Sequence, residues 1–167
     1  MKMLTIRELV ANKKDDCRDM KSYAEKEKNT KVMDIELNFP TNPACIGEVR
    51  DRILKGCLNA GLADEDAQDI CLALVEAVTN AIRHSKCEEF TVLLTLSTKH
   101  AMIKVVDNGK GFSFSKGSCE FPANDAPGGR GLPIINSLVD NLIVESKTGS
   151  GTTVTMIKYL VDKQASA

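Results

Sequence analysis

The sequence of 167 residues contains no tryptophan, and aromatic side chains make up only 4% of it. Proteins that bind single-stranded nucleic acid without sequence preference stack the bases on aromatic side chains, so this scarcity argues against that class. The formal net charge of −1 gives no electrostatic reason to expect a nucleic acid or an anionic membrane as partner. We therefore predict no direct nucleic-acid binding.

Long apolar runs and paired cysteines are also missing. No stretch reaches the roughly 18 apolar residues of a membrane-spanning helix, and the first residues lack the apolar centre of a signal peptide. The six cysteines are scattered without a CxxC pair, which argues against a thiolate metal site or a disulfide framework. Cys57 and Cys71 fall within apolar helical patterns and are predicted to be small buried side chains in a reducing compartment. These features predict a cytoplasmic protein without a membrane segment.

The length and a hydrophobic content of 43% suit one globular domain with a core. Residues 1–30 are dense in charge and have little to bury, so we predict a charged arm, helical or partly disordered, outside the core. Residues 31–162 are predicted to form the folded domain, and residues 163–167 a tail.

Hydrophobic periodicity predicts an α+β fold. Apolar alternation and β-branched residues predict strands at 33–39, 90–97, 101–107, 142–146 and 152–159. Helical spacing predicts helices at 46–58, 64–85 and 131–140. This order implies a two-layer α/β sandwich, in which the helices pack on one face of a mixed sheet.

The predicted helix at 64–85 carries Glu76 and Asn80, four residues apart and on the same side. The opposite face is broad and apolar, and it comprises Ile70, Cys71, Leu74, Val75, Ala77, Val78, Ala81 and Ile82. Asparagine is a poor helix former because its amide competes with the backbone for hydrogen bonds, so its position here suggests a function. The alternative is a core helix with one solvated stripe.

A second group, Asp107-Asn-Gly109-Lys-Gly111, ends a predicted strand. Asp-Asn-Gly is a common turn sequence, which is one interpretation. The other is a ligand site, because the two glycines remove side chains where a ligand could approach the backbone. An acid held at the strand end could then accept a hydrogen bond from an exocyclic amine.

A third group, Gly128-Gly129-Arg130-Gly131, leads directly into a predicted helix. The backbone N–H groups and the dipole of a helix N-terminus favour phosphate, although a flexible helix-entry loop would look the same. Neither the GxxxxGK[ST] nor the GxGxxG pattern of common nucleotide-binding loops is present. The glycine- and proline-containing loop at 108–128 is long enough to be functional or disordered.

The order and spacing of the three groups resemble the Bergerat-fold (GHKL) ATPase superfamily, and the chain is most similar to bacterial anti-sigma-factor serine/threonine-protein kinases. Glu76 to Ala81 matches the N-box, and Asp107 to Phe112 matches the first glycine box. Gly129 to Leu132 matches the second glycine box, and Gly151-Thr152 matches the glycine-threonine hairpin. The resemblance covers roughly residues 33–160.

The resemblance implies a role for each residue that matches the motifs. Asn80 would ligate Mg²⁺ through its side-chain oxygen, and Glu76 would be the general base. Asp107 would accept a hydrogen bond from the adenine amine, supported by Thr152. The backbone roles are implied for glycines and their neighbours: adenosine would lie against Gly109 and Gly111, and the phosphates would bind N–H groups of Gly129, Arg130 and Gly131.

A lid over ATP is implied for residues 112–128. Anti-sigma kinases often carry a basic residue near the end of this lid, where this chain has Ala126-Pro127-Gly128. Arg130, or Lys110 and Lys116, could reach the phosphates instead.

The resemblance implies an ATP- and Mg²⁺-dependent serine/threonine-protein kinase that sequesters a sigma factor and phosphorylates an anti-sigma antagonist. It also implies a homodimer. Two alternatives remain open: a non-catalytic ATP-dependent partner switch, and a histidine-kinase-like catalytic domain that acts on another chain.

Overall fold

Five strands and three helices lie within residues 33–113 and 129–160, which are the residues that the computed structural model describes. The strands are β1 (Met33–Pro40), β2 (Glu89–Leu96), β3 (His100–Asp107), β4 (Asn141–Ser146) and β5 (Thr152–Tyr159). The helices are α1 (Ile46–Asn59), α2 (Asp64–His84) and α3 (Gly131–Leu138). The predicted arm at 1–30, the tail at 163–167 and most of the predicted lid lie outside the described residues, so the domain limits stay a prediction.

The strands form one sheet in the order β1-β2-β3-β5-β4, and every neighbouring pair is antiparallel. The α+β class is confirmed, but the prediction of a mixed sheet is wrong. After β3, helix α3 carries the chain back along the sheet, so β4 runs in the same direction as β3. Strand β5 then lies between them, pairing with both, and no parallel pair forms.

The helices cover the sheet face that carries the alternating apolar residues of β2 and β3. Phe90, Val92 and Leu94 of β2 are each no more than 1% exposed, as their period of two requires for one buried face. Helix α2 contributes the largest share of the helical side of this core: Ala67, Ile70, Cys71, Ala73, Leu74, Ala77, Val78 and Ala81. The predicted apolar face of this helix is therefore the face that packs on the sheet.

Helix α2 begins at Asp64 and ends at His84, close to the predicted limits. Three acids, Asp64, Glu65 and Asp66, occupy its first turn, where negative charge interacts favourably with the helix dipole. None of the helices in the described part of the chain has the length and apolar character that crossing a bilayer requires.

The predicted burial of two cysteines is confirmed. Cys57 of α1 is fully buried and Cys71 of α2 is 5% exposed. Burial raises the pKa of the Cys57 thiol to about 12, and burial likewise raises the pKa of Cys71 to about 11. Both thiols therefore stay protonated at neutral pH and behave as small apolar side chains.

Lys158, near the end of β5, connects the sheet to helices α2 and α3. Its Nζ atom donates to Asp69 Oδ2 on α2 at 2.8 Å and to the carbonyl oxygen of Leu138, the last residue of α3, at 3.1 Å. The Lys158 side chain is only 16% exposed, so this ion pair is partly shielded from solvent. It anchors both helices at the end of the strands that lies opposite Asp107.

Candidate nucleotide site

Asn80 of α2 meets the N-terminus of α3. A Cβ atom added at Gly131, the first residue of α3, would lie 2.9 Å from Asn80 Nδ2 and 3.2 Å from Asn80 Oδ1. The N-cap residue of this helix is Arg130, and its side chain makes no capping hydrogen bond to the helix. A helix N-terminus favours anions, and the first turn of this one carries the N–H groups of Gly131 and Leu132, whereas Pro133 has none. The structure brings together Asn80 and Gly131, which lie 51 residues apart in the sequence.

Asp107 is buried at the end of β3, where the residue is only 7% exposed. Its Oδ1 atom accepts a hydrogen bond from the N–H of Gly109 at 2.9 Å, and the carboxylate also accepts from the N–H of Thr152. Burial raises the pKa of Asp107, and these two N–H groups partly offset the effect because they stabilise the charged form. The carboxylate is therefore held in one orientation, with lone pairs left for a further donor.

Thr152 lies directly opposite Asp107 in the pairing of β3 with β5. Partners in an antiparallel pair project their side chains on the same face, so the Thr152 hydroxyl and the Asp107 carboxylate share the helix-bearing face. Gly151, just before Thr152, approaches the Asp107 carbonyl so closely that an added Cβ would lie 2.0 Å from that oxygen. The predicted pair of Asp107 and Thr152 is thus assembled by the strand register.

Gly109 and Gly111 allow the loop after β3 to pack between two other segments. A Cβ at Gly109 would lie 2.1 Å from the carbonyl oxygen of Ser85, just after α2. A Cβ at Gly111, whose φ is +57°, would lie 2.1 Å from the carbonyl oxygen of Lys147 in the β4–β5 turn. Protein backbone therefore occupies the position of a Cβ atom at both glycines, which explains why neither residue carries a side chain. Contact of adenosine with other atoms of these residues stays a prediction.

Glu76 is half-buried on α2, one turn before Asn80 and on the same side of the helix. Gly129 and Arg130 are exposed ahead of α3, and Lys110 is exposed in the loop after β3. Lys110 is held by its backbone, because its N–H donates to the Ser85 carbonyl at 2.8 Å and its carbonyl accepts from Gly149 at 2.7 Å. Lys116 lies outside the described residues.

Sequence reasoning missed Ser146, the last residue of β4. Its Oγ atom lies 2.9 Å from the Phe112 nitrogen, 2.9 Å from Thr152 Oγ1 and 3.2 Å from the Gly151 carbonyl oxygen. It thereby joins the loop after β3 to the β4–β5 turn. A serine before a turn carries no pattern of its own, and only its position opposite Thr152 in the register reveals it.

The donor set at Asn80 fits Mg²⁺. This cation keeps several waters and usually takes one or two protein oxygens together with substrate phosphates, and an amide oxygen beside a helix N-terminus offers such a position. Within 33–113 and 129–160, no three His, Cys, Asp or Glu side chains cluster closely enough to hold a metal ion. The fit therefore requires phosphate oxygens as the remaining ligands.

The chain is similar to known proteins over most of its length. Residues 39–158 match the family described as histidine kinase-like ATPase domain. The serine-protein kinase RsbW of Staphylococcus epidermidis is 32% identical over 143 residues, covering 78% of this chain and 89% of that protein. RsbW of Bacillus velezensis is 30% identical over 144 residues, covering 79% and 89%.

A solved structure supports the fold. The RsbU and RsbW domains of Rv1364c from Mycobacterium tuberculosis superpose with a TM-score of 0.59 at 20% identity, over 77% of this chain. The match spans 32% of that longer chain. At this identity the likeness concerns the arrangement of helices and strands alone.

Proposed function

The chain belongs to the family of histidine kinase-like ATPase domains, and from that premise we propose how it works: it is an ATP-dependent serine/threonine-protein kinase of the RsbW type that also holds a sigma factor inactive. Its relatives are serine-protein kinases, which supports the kinase reaction. The observation that carries the proposal is the contact of the Asn80 amide with the start of α3. This contact supports the proposal that the Asn80 oxygen binds Mg²⁺ beside N–H groups suited to phosphate.

Two ends of the nucleotide are held by different segments. Asp107 accepts a hydrogen bond from the exocyclic amine of adenine, since its carboxylate is already oriented by Gly109 and Thr152. The phosphates lie at the N-terminus of α3, where N–H groups and the helix dipole attract negative charge. Asn80 would hold Mg²⁺, which would neutralise charge that develops on the phosphate oxygens.

Glu76 acts on the acceptor hydroxyl. It takes the proton as the serine or threonine oxygen forms a bond to the γ-phosphorus, while the bond from that phosphorus to the β–γ bridging oxygen breaks and ADP leaves. Its place one turn before Asn80 supports this role, because both side chains project from the same side of α2. The proton has a defined destination, and no other residue is required to remove it.

The partners of this reaction are proposed from the resemblance to anti-sigma-factor kinases. The phosphorylated protein is an anti-sigma antagonist, and the sequestered protein is a sigma factor. The chain acts as a homodimer, which sedimentation should show as a species of twice the monomer mass. A single species of monomer mass at high concentration would remove the homodimer from this proposal.

The kinase proposal is tested by γ-labelled ATP in an ATP-depleted extract of the cells that make the protein. The wild-type chain should label a protein on serine or threonine, with phosphate that survives acid. Glu76→Gln should lower that labelling by about 100-fold or more, the lower range for loss of a general base, and leave the dissociation constant for Mg-ATP within about twofold. Glu65→Gln, an exposed acid at the start of the same helix, is the matched control and should change neither quantity.

The other outcomes separate the alternatives. Acid-labile label would indicate phosphohistidine and a histidine-kinase-like domain. Tight Mg-ATP binding without labelling by the wild type would indicate a non-catalytic partner switch. Equal labelling by the wild type and Glu76→Gln would remove Glu76 from the catalytic role.

A further inference from the structure

Ser146 connects three segments through one hydroxyl group. Its Oγ atom is within hydrogen-bond distance of the Phe112 nitrogen, Thr152 Oγ1 and the carbonyl oxygen of Gly151. The residue is half-buried and ends β4 directly opposite Thr152. Phe112 begins the segment that follows the glycine loop, and Thr152 faces the same side as Asp107. Ser146 therefore contacts Phe112 and Thr152, which adjoin the proposed adenine pocket, without being part of that pocket itself.

The number of protons decides how these groups are arranged. A serine hydroxyl offers one O–H and two lone pairs. The Phe112 N–H can only donate and the Gly151 carbonyl can only accept, so Ser146 satisfies both when it accepts from Phe112 and donates to Gly151. Its second lone pair then accepts the proton of Thr152. In this arrangement every group has a partner, and Thr152 Oγ1 presents lone pairs and no proton to a ligand.

We infer that Ser146 is a positioning residue that makes the site select adenine, an inference that rests on the proposed nucleotide site. With its proton held by Ser146, Thr152 joins Asp107 as a second acceptor on the same face. Two acceptors favour the 6-amino group of adenine and repel the 6-carbonyl of hypoxanthine or guanine. A site that pairs with a donor rejects an analogue lacking it, because the buried acceptors are then left unpaired.

Inosine triphosphate is a suitable probe, because its base carries a carbonyl where ATP carries the amine, and an N1–H where ATP has an unprotonated N1, while the sugar and the phosphates are unchanged. We expect Ser146→Ala to weaken Mg-ATP binding about tenfold, the loss of roughly one well-formed hydrogen bond, and to change Mg-ITP binding less than about threefold. Ser146→Thr keeps the Oγ atom and suits a strand, so it should restore the ATP preference to within about threefold. Ser150→Ala removes an exposed hydroxyl from the same turn and should leave both affinities unchanged.

A double-mutant cycle separates positioning from a general structural effect. Thr152→Val removes the hydroxyl that Ser146 orients, so adding Ser146→Ala to Thr152→Val should cause little further loss of the ATP-to-ITP ratio. Titration calorimetry gives both constants, and circular dichroism shows that each variant is folded. If Ser146→Ala does not fold, the other two variants still test the inference. Thr152→Val must lower the ATP-to-ITP affinity ratio, and Ser146→Thr must keep it.

Two results would overturn the inference in distinguishable ways. In the first, the wild type prefers ATP, and Ser146→Ala either keeps the ATP-to-ITP affinity ratio or lowers it by the same factor in the wild-type and Thr152→Val backgrounds. Ser146 then does not act through Thr152, and the nucleotide site stands. If the wild type binds neither nucleotide, the proposed site fails and the role of Ser146 fails with it.

Discussion

The amide of Asn80 lies against Gly131, so that a Cβ atom added to this glycine would sit 2.9 Å from Asn80 Nδ2. The backbone of Gly131 is outside the left-handed region, so alanine suits the first turn of α3. We expect Gly131→Ala to change the free energy of unfolding by less than about 1 kcal/mol. Because the methyl group displaces the Asn80 amide, the affinity for Mg-ATP should fall about tenfold, measured by titration calorimetry.

Gly47→Ala is the control for that experiment. Gly47 lies in α1, and nothing lies within 4 Å of an added Cβ atom. The substitution should stabilise the protein by about 0.5–1 kcal/mol, the helical preference for alanine over glycine, and leave Mg-ATP binding unchanged. Unaltered Mg-ATP affinity in Gly131→Ala would show that the Asn80 amide is not a ligand at this position.

Acid should weaken ATP binding through Asp107. Burial raises the pKa of this carboxyl, although the N–H groups of Gly109 and Thr152 counteract part of the effect. The amine of adenine needs the ionised form, so affinity should fall as the pH drops through the raised pKa, beginning at a higher pH than for an ordinary aspartate. For folding, the raised pKa means that this group costs stability as the pH rises from its unfolded pKa to its folded pKa.

The variant Asp107→Asn isolates this titration. Its neutral amide does not ionise, so the ratio of wild-type to variant affinity should decline as the pH drops through the raised pKa of Asp107. Taking this ratio at each pH cancels the titration of the nucleotide phosphates. A ratio that stays constant as the pH drops would separate Asp107 from base recognition.

Lys158 should stabilise the fold far from the proposed chemistry. Its Nζ atom lies 2.8 Å from Asp69 Oδ2, and its side chain is 16% exposed. Lys158→Met keeps the apolar stem and removes the charge. After allowance for solvent screening at Asp69, which is 33% exposed, we expect a loss of about 1–2 kcal/mol in urea denaturation.

The pH dependence of this contribution follows from the direction of the Lys158 pKa. Burial lowers that pKa, but the hydrogen bond to Asp69 and the charges of Asp69, Asp140 and Asp66 outweigh burial and raise it overall. The stabilisation is therefore complete below the unfolded pKa of lysine and is lost as the pH rises through the folded pKa. Arg50→Met, which breaks an exposed pair with Asp51, is the control and should cost less than about 0.5 kcal/mol. Equal losses in both variants would mean that Lys158 is an ordinary surface ion pair.

Local patterns were enough to predict the helices and strands. The limits of α2 follow from an apolar period of 3.6 and three acids in the first turn, and the structure differs from the prediction by one residue. The alternation of apolar and polar residues in β2 likewise predicted which of its side chains are buried. Both features depend on residues that are close in sequence, so a single sequence contains them.

Strand direction could not be predicted in this way. Whether a sheet is mixed depends on which strands become neighbours after α3 returns the chain, and β5 pairs with β3 across a long separation in sequence. The motif spacing predicted Asn80, Asp107 and Gly131 as site residues, and the structure shows the contact of Asn80 with Gly131. It could not identify Ser146, whose importance lies entirely in contacts with Phe112 and Thr152.

The most direct test of the account is thermal unfolding of the wild type and of Asn80→Ala, each with and without Mg-ATP. A ligand at about 100 times its dissociation constant adds about 2.7 kcal/mol of stability, which raises the midpoint of a domain of this size by several degrees. We predict that rise for the wild type and a much smaller one for Asn80→Ala. An equal rise in both proteins would contradict the role of Asn80, and no rise in the wild type would contradict the nucleotide site itself.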